Sequence, residues 1–190
     1  SKASYLPNNL KFIANNNGII DDNDIEQISN ILLEAQWLVI CIGFCLGCPF
    51  AIPINLKHRL SVPKYNPART YIPDGSCDLG GNYMAIYPIE SPGGYQLFGR
   101  TIQTWSTFGT IGYPFTNYQP WLLNMFDIIQ FQSVTELQLK NLQMELLKEI
   151  DSNNNNYNEV SNDSQQQQQN LQELDDNHKI IYAMVGGIIQ

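Results

Sequence analysis

Three side chains are suited by type and spacing to handle a carboxylate or a carbonyl: Arg69, Glu90 and Arg100. A guanidinium presents a planar fork that matches a carboxylate, so Arg69 (in KYNPART) and Arg100 (closing YQLFGR) are candidate anion contacts. Pro67 fixes the backbone ahead of Arg69 and marks a defined turn. Glu90, in IESPGG, is a candidate base or orienting carboxylate beside one of the two arginines. These three form the candidate catalytic set. The candidate substrate-binding set surrounds them. His58 and Lys64, with Arg59, make a basic loop, and Asn66 sits in the YNP turn. Gly93 and Gly94 follow Pro92, and fit either a tight turn with positive φ or a close backbone approach to a ligand. Tyr87, Tyr95 and Gln96, with Tyr83 nearby, can hydrogen-bond to or stack on a planar group. Each has a structural alternative: an arginine–carboxylate ion pair, a solvated basic loop, or half-buried tyrosine packing.

Other chemistries lack their residues. There is no GxxxxGK[ST] or GxGxxG loop, so no nucleotide-phosphate site is visible. With only His58 and His178 and no nucleophile elbow, a Ser-His-Asp or Cys-His set is not expected. Of the four cysteines, Cys41, Cys45, Cys48 and Cys77, the first three can be read as a metal cluster or as small apolar packing residues; the apolar run around them favours packing, and no metal is expected. The net charge of −8 lies mainly after Met144, leaving the remainder near neutral without a basic nucleic-acid face. The most apolar stretch, Trp37 to Ile54, is broken by Gly43, Gly47, Pro49 and Pro53, so no membrane span is expected and a cytoplasmic location is.

The elements that must position these residues are mostly short strands. Lys57 to Arg100 holds brief apolar runs broken by Pro and Gly, the pattern of a compact β barrel or sandwich. Candidate strands are Trp37–Phe44, Leu60–Pro63, Ala68–Ile72, Ser76–Leu79, Met84–Tyr87, Tyr95–Thr101 and Asp127–Gln132, with GFCLGCPFAIP as a loop. Ile25, Ile28, Leu32, Ala35 and Leu38 recur at helical spacing and predict a helix from Asp24 to Ala35. Ser133-Val-Thr-Glu136 fits a capping box for a second helix from Thr135 to Glu149. The Asn- and Gln-rich run that follows has too little apolar area to offset ordering entropy and reads as a disordered linker.

The combination of KYNPART and YMAIYPIESPGGYQLFGRT, with GFCLGCPFAIP before and PWLLNMFDII after, resembles the carboxyltransferase domain of urea carboxylase, the biotin-dependent half of urea amidolyase. The same domain family takes in the B subunit of 5-oxoprolinase and the Kip-type inhibitors of sporulation kinases. The resemblance covers Tyr5 to Glu136 and implies a mainly β fold with flanking helices (α+β): a cyclophilin-like barrel preceded by one helix and followed by a helix and the disordered linker. It divides the chain into a truncated N-terminal subdomain (1–36), the cyclophilin-like subdomain (37–132), a helix (133–150), the linker (151–177) and, from HKIIYAMVGGIIQ, the start of a biotinyl-carrier domain (178–190). The implied function is a fragment of an enzyme that passes the carboxyl group of carboxybiotin to urea, giving allophanate. Biotin would be carried on another domain and ATP used elsewhere in the full protein. Implied partners are a second carboxyltransferase half, the biotin carboxylase and the carrier of the same polypeptide. A Kip-like regulatory binding protein and a component like the B subunit of 5-oxoprolinase are the alternatives.

Overall fold

The computed structural model describes residues 8–106, 115, 119–155 and 178–185. In chain order the elements are α1 (Asn9–Asn16), α2 (Asp24–Glu34), β1 (Gln36–Ile42), β2 (Pro49–Pro53), a single 3-10 turn (Leu56–His58), β3 (Arg69–Ile72), β4 (Ser76–Gly80), β5 (Tyr83–Ile86), β6 (Ser91–Gly93), β7 (Gln96–Thr101), β8 (Ile128–Ser133), α3 (Glu136–Asn155) and β9 (His178–Val185). Seven strands close into a barrel in the order β1-β2-β5-β4-β7-β9-β8, and β3 and β6 form a separate two-stranded ribbon. The expected fold class, mainly β with flanking helices, is the one found.

The barrel is filled from alternating positions. Trp37, Val39, Leu79, Met84, Ile86, Phe98 and Ile129 are inward and essentially buried, as the period of two requires. Phe98 meets Phe131 edge-to-face at 5.7 Å. The two N-terminal helices continue this core, with Leu10, Ile13, Ala14, Ile28 and Leu32 in the same cluster. Trp37 Nε1 donates to the Leu32 carbonyl (3.3 Å), joining α2 to β1.

Sequence reading misses α1, because its polar, Asn-rich face hides a three-residue apolar stripe. Asn8 caps it: the side-chain oxygen accepts from the backbone amides of Leu10 (3.0 Å) and Lys11 (3.2 Å), satisfying two orphan donors. The GFCLGCPFAIP segment, expected as a loop, contains β2. Its two prolines stand at the strand ends, where a missing N–H disturbs the ladder least. Leu60–Pro63 is not a strand; only Val62 bridges to Gly81. The capping box at α3 sits two residues later than expected. The Gln138 side-chain oxygen accepts from the Thr135 amide at 2.9 Å, and Thr135 Oγ1 accepts from the Gln138 amide at 3.3 Å. Ser133 instead ends β8. The helix runs on to Asn155, taking residues 151–155 out of the expected linker, and 156–177 lie outside the described residues.

The largest difference concerns residues 178–185. The resemblance places them at the start of a biotinyl-carrier domain. In the structure they pair with this barrel on both sides, antiparallel to β7 and parallel to β8. Among the described residues, no helix is long and apolar enough to cross a membrane.

Candidate active site

The candidate site lies on the outer face of the barrel, between β4 and the β3–β6 ribbon. Cys77 and Leu79 of β4 point into the core, so Asp78 between them points outward. Its ladder partners are Ala85 on β5 and Leu97 on β7. Leu97 joins Ile72 and Tyr87 in a second, small apolar cluster. The ribbon carrying Ile72 therefore covers this face, and Asp78 ends with no exposed surface although it lies outside the core.

Glycines let the cover sit close. A Cβ at Gly93 would overlap the Tyr87 hydroxyl, one at Gly80 would overlap the Tyr95 ring, and one at Gly94 would come within 3.0 Å of the Tyr65 carbonyl oxygen. Of the two readings of Gly93 and Gly94, the positive φ is not found; glycines with positive φ include Gly47, Gly75 and Gly81. These two positions need glycine for want of space.

A pocket of about 150 Å³ opens here, lined by Lys64, Tyr87, Gly93, Gly94 and Tyr95 from the sequence-expected set and by Phe44, Cys48, Phe50 and Ala85 besides. Lys64 Nζ lies 4.9 Å from the centre of the Tyr95 ring, a cation–π distance. Phe44 meets Tyr87 edge-on at 6.2 Å, and Phe50 meets Tyr95 at 6.1 Å. Phe44 holds φ +68 and remains 67% exposed, an unfavourable backbone state for a bulky residue. The turn after it is fixed by the Cys48 amide donating to the Cys45 carbonyl (3.2 Å). The signal for this wall is present in the sequence: GFCLGCPF is part of the family-like pattern, but its Gly and Pro punctuation reads only as a connection.

Arg69 supports the pocket from behind. Nη1 donates to the Tyr95 carbonyl at 2.7 Å, Nη2 to the Asn9 side-chain oxygen at 3.2 Å, and the guanidinium lies 4.0 Å over the Tyr65 ring. Burial lowers its pKa, with Tyr65 and Asp78 opposing the shift. Arg69 does not line the pocket; it anchors the residues that do. Gln96 is buried and donates to the Pro63 carbonyl at 3.0 Å, fixing the chain just before Lys64.

The remaining expected residues lie elsewhere. Arg100 pairs with Asp74 at 3.1 Å. Glu90 accepts from the Tyr71 hydroxyl at 2.8 Å, and among the described residues it forms no ion pair with Arg69 or Arg100. His58 faces Glu34 of α2 at 3.9 Å instead of joining a basic loop with Lys64. Asn66 is exposed and precedes Pro67 through a cis peptide bond. Of the cysteines, Cys48 and Cys77 are buried as expected of packing residues, whereas Cys41 is exposed. Among the described residues, no group of three or more His, Cys, Asp or Glu could hold a metal ion.

The electrostatics of the pocket are set by burial. Desolvation pushes the Asp78 carboxyl well above the usual carboxylate range; the Tyr87 hydroxyl and Arg69 act in the opposite direction but do not outweigh it. Burial also raises the Tyr87 and Tyr95 phenols, with Asp78 adding to both. The Cys48 thiol is pushed up by burial and by Cys45 and Asp78. The walls therefore carry two neutral phenols and one neutral thiol among apolar side chains, and Lys64 brings positive charge. Such a site suits a small planar group bearing a carboxylate or carbonyl.

A family described as "Carboxyltransferase domain, subdomain C and D" matches residues 5–110. The urea amidolyase of Lachancea kluyveri is 43% identical over 140 residues, which is 73% of this chain and 7% of that protein. The B subunit of the Bacillus subtilis 5-oxoprolinase is 32% identical over 111 residues, covering 58% of this chain and 42% of that one. The crystal structure of the K. lactis urea amidolyase superposes with a TM-score of 0.67 at 41% identity, over 76% of this chain and 8% of that chain. This chain thus spans only a small part of the urea amidolyases it matches. All nine pocket-lining residues fall within the matched range, and the chain belongs to the carboxyltransferase domain, subdomain C and D, family.

Proposed function

We propose that this chain is part of a biotin-dependent urea carboxylase and contributes one wall of the site where a carboxyl group passes to urea, giving allophanate. The supporting observation is the coincidence of the pocket with the family match, at 43% identity to a urea amidolyase against 32% to the B subunit of a 5-oxoprolinase. The residues fit the group they would hold. Aromatic walls at Tyr87 and Tyr95 suit the flat ureido ring of biotin, and the Lys64 ammonium suits a carboxylate carried on it. When bound, biotin supplies the carboxyl group. Lys64 then offsets the carboxylate charge, and Tyr87 offers a hydroxyl to a carbonyl or amide. Gly93 and Gly94 leave room beside the ribbon, and Phe44 and Phe50 exclude water. Arg69 and Gln96 keep Tyr95 and Lys64 in place. Arg100 and Glu90 belong to the ribbon's surroundings in this proposal.

The biotin carboxylase, the ATP-using step, the carrier and the second carboxyltransferase half would lie in the rest of the polypeptide. The test is urea-dependent ATP turnover by the full-length protein, with Lys64→Ala beside wild type. Urea should stimulate wild type, and the variant should lose roughly tenfold to a hundredfold in the stimulated rate while biotin carboxylation persists. Stimulation by 5-oxoproline and not by urea would move the assignment to the 5-oxoprolinase branch.

A further inference from the structure

Behind this pocket, cross-strand from the lining residue Ala85, lies a buried carboxyl group outside the sequence-expected set, that of Asp78. Asp78 has no exposed surface, and among the described residues neither side-chain oxygen has a hydrogen-bond partner of good geometry. The groups acting on it come from every element around it: Arg69 from β3, Cys77 beside it on β4, Tyr87 after β5, Cys48 just before β2 and Tyr95 before β7. Arg69 is the cation in this group, but both ends of its guanidinium are committed, to the Tyr95 carbonyl and to Asn9. Among the described residues it forms no ion pair with Asp78. The Tyr87 hydroxyl approaches the carboxyl, and Gly93 has no Cβ to push it aside. A buried carboxyl without a committed cation is stable only as the neutral acid.

We infer that Asp78 is a positioning residue of the pocket, holding the Tyr87 hydroxyl at the wall and keeping the layer behind that wall uncharged so that the site accepts a small carboxylate. The second half of this inference rests on the functional reading above; the first does not. As a neutral acid, Asp78 stands beside the Tyr87 hydroxyl and leaves Lys64 to set the sign of the pocket's charge. Once ionised, it places a negative charge behind the wall that an incoming carboxylate meets, at a depth where water cannot screen it.

Two measurements on the 190-residue chain test this. The first labels tyrosine Cζ and aspartate Cγ with ¹³C and follows both through pH by NMR, with Tyr87→Phe and Asp78→Asn assigning the resonances. Asp78 should carry the chemical shift of a protonated acid at neutral pH, and Tyr87 Cζ should move in step with its ionisation. That step should vanish in Asp78→Asn. An Asp78 already ionised at neutral pH, or a Tyr87 signal indifferent to Asp78→Asn, overturns the inference. The second titrates acetate as a minimal carboxylate probe. Wild type should lose affinity at least tenfold as pH carries Asp78 through ionisation, and Asp78→Asn should bind without that fall. An equal pH dependence in both overturns the charge-setting role. No acetate binding to either protein refutes the carboxylate-site reading and that role with it, while the NMR result still decides the positioning role.

Discussion

Replacing Asp78 by Asn should stabilise the protein, and by an amount that grows with pH. The reasoning starts from burial. Asp78 is fully buried and its folded-state pKa is raised, so the folded chain holds a proton that the unfolded chain has released above about pH 3.9. In that window the native state binds more protons than the unfolded state, and unfolding stability falls as pH rises. One proton corresponds to about 1.4 kcal/mol per pH unit. For as long as the folded carboxyl keeps its proton, the wild type therefore loses up to about this much with each pH unit relative to a variant that cannot ionise, a sizeable share of a typical domain's roughly 5–15 kcal/mol. Asparagine keeps the shape and still lacks full hydrogen bonding, so the two proteins should be nearly equal near pH 4 and separate above it. The assay is guanidinium denaturation at a series of pH values, read by the fluorescence of buried Trp37. Guanidinium is chosen because the other common denaturant, urea, is the proposed substrate. A wild-type-to-variant difference that stays flat from pH 4 to pH 7, or one in which the wild type gains, would show that the carboxylate is ionised and compensated, and the argument would fail.

Gly93→Ala should displace the Tyr87 ring, because the added methyl overlaps its hydroxyl. A loss of about 1–3 kcal/mol in denaturant stability is expected, together with a shift of the Tyr87 ring resonances. Arg69→Lys should not rescue Arg69→Ala, because one ammonium cannot span the Tyr95 carbonyl and Asn9 while stacking on Tyr65. Each variant should lose about 1.5–3 kcal/mol, and an Arg69→Lys protein as stable as wild type would refute the fork.

Most of the barrel is legible in the sequence because its strands are short apolar runs between turn residues. The helix at Asp24–Glu34 and the one starting at Glu136 are legible from their periodicity. What escapes has physical causes. Ribbon strand β6 is three residues containing Pro92 and reads locally as a turn; only pairing of Arg69 with Gly93 and Ile72 with Ser91 makes it a strand. The candidate arginines stand out for what guanidinium can do, but the fold engages both, Arg100 with Asp74 and Arg69 with the backbone of Tyr95. Asp78 is the opposite case. In SCDLGG it reads as a polar residue on the solvent face of a strand, and its burial depends on a ribbon that arrives from residues before and after it. The aromatic and glycine positions can be found because packing and close approach leave a compositional trace, whereas burial of a single carboxyl does not.

The barrel's seventh strand has a consequence for the order in which the chain becomes a closed structure. β8 ends at Ser133, and its parallel neighbour β9 begins at His178. During synthesis at about 5–20 residues per second, several seconds separate the emergence of these two strands. In that interval β7 and β8 each present an unpaired edge, with the inward-facing Phe98 and Phe131 behind them. Such edges are templates for pairing with another chain. Closure also demands a long-range parallel contact, the slowest kind to form. The nascent protein thus spends a defined period as an open, adhesive sheet, and its yield in a cell depends on how quickly the final strand finds the gap relative to how often a neighbour does.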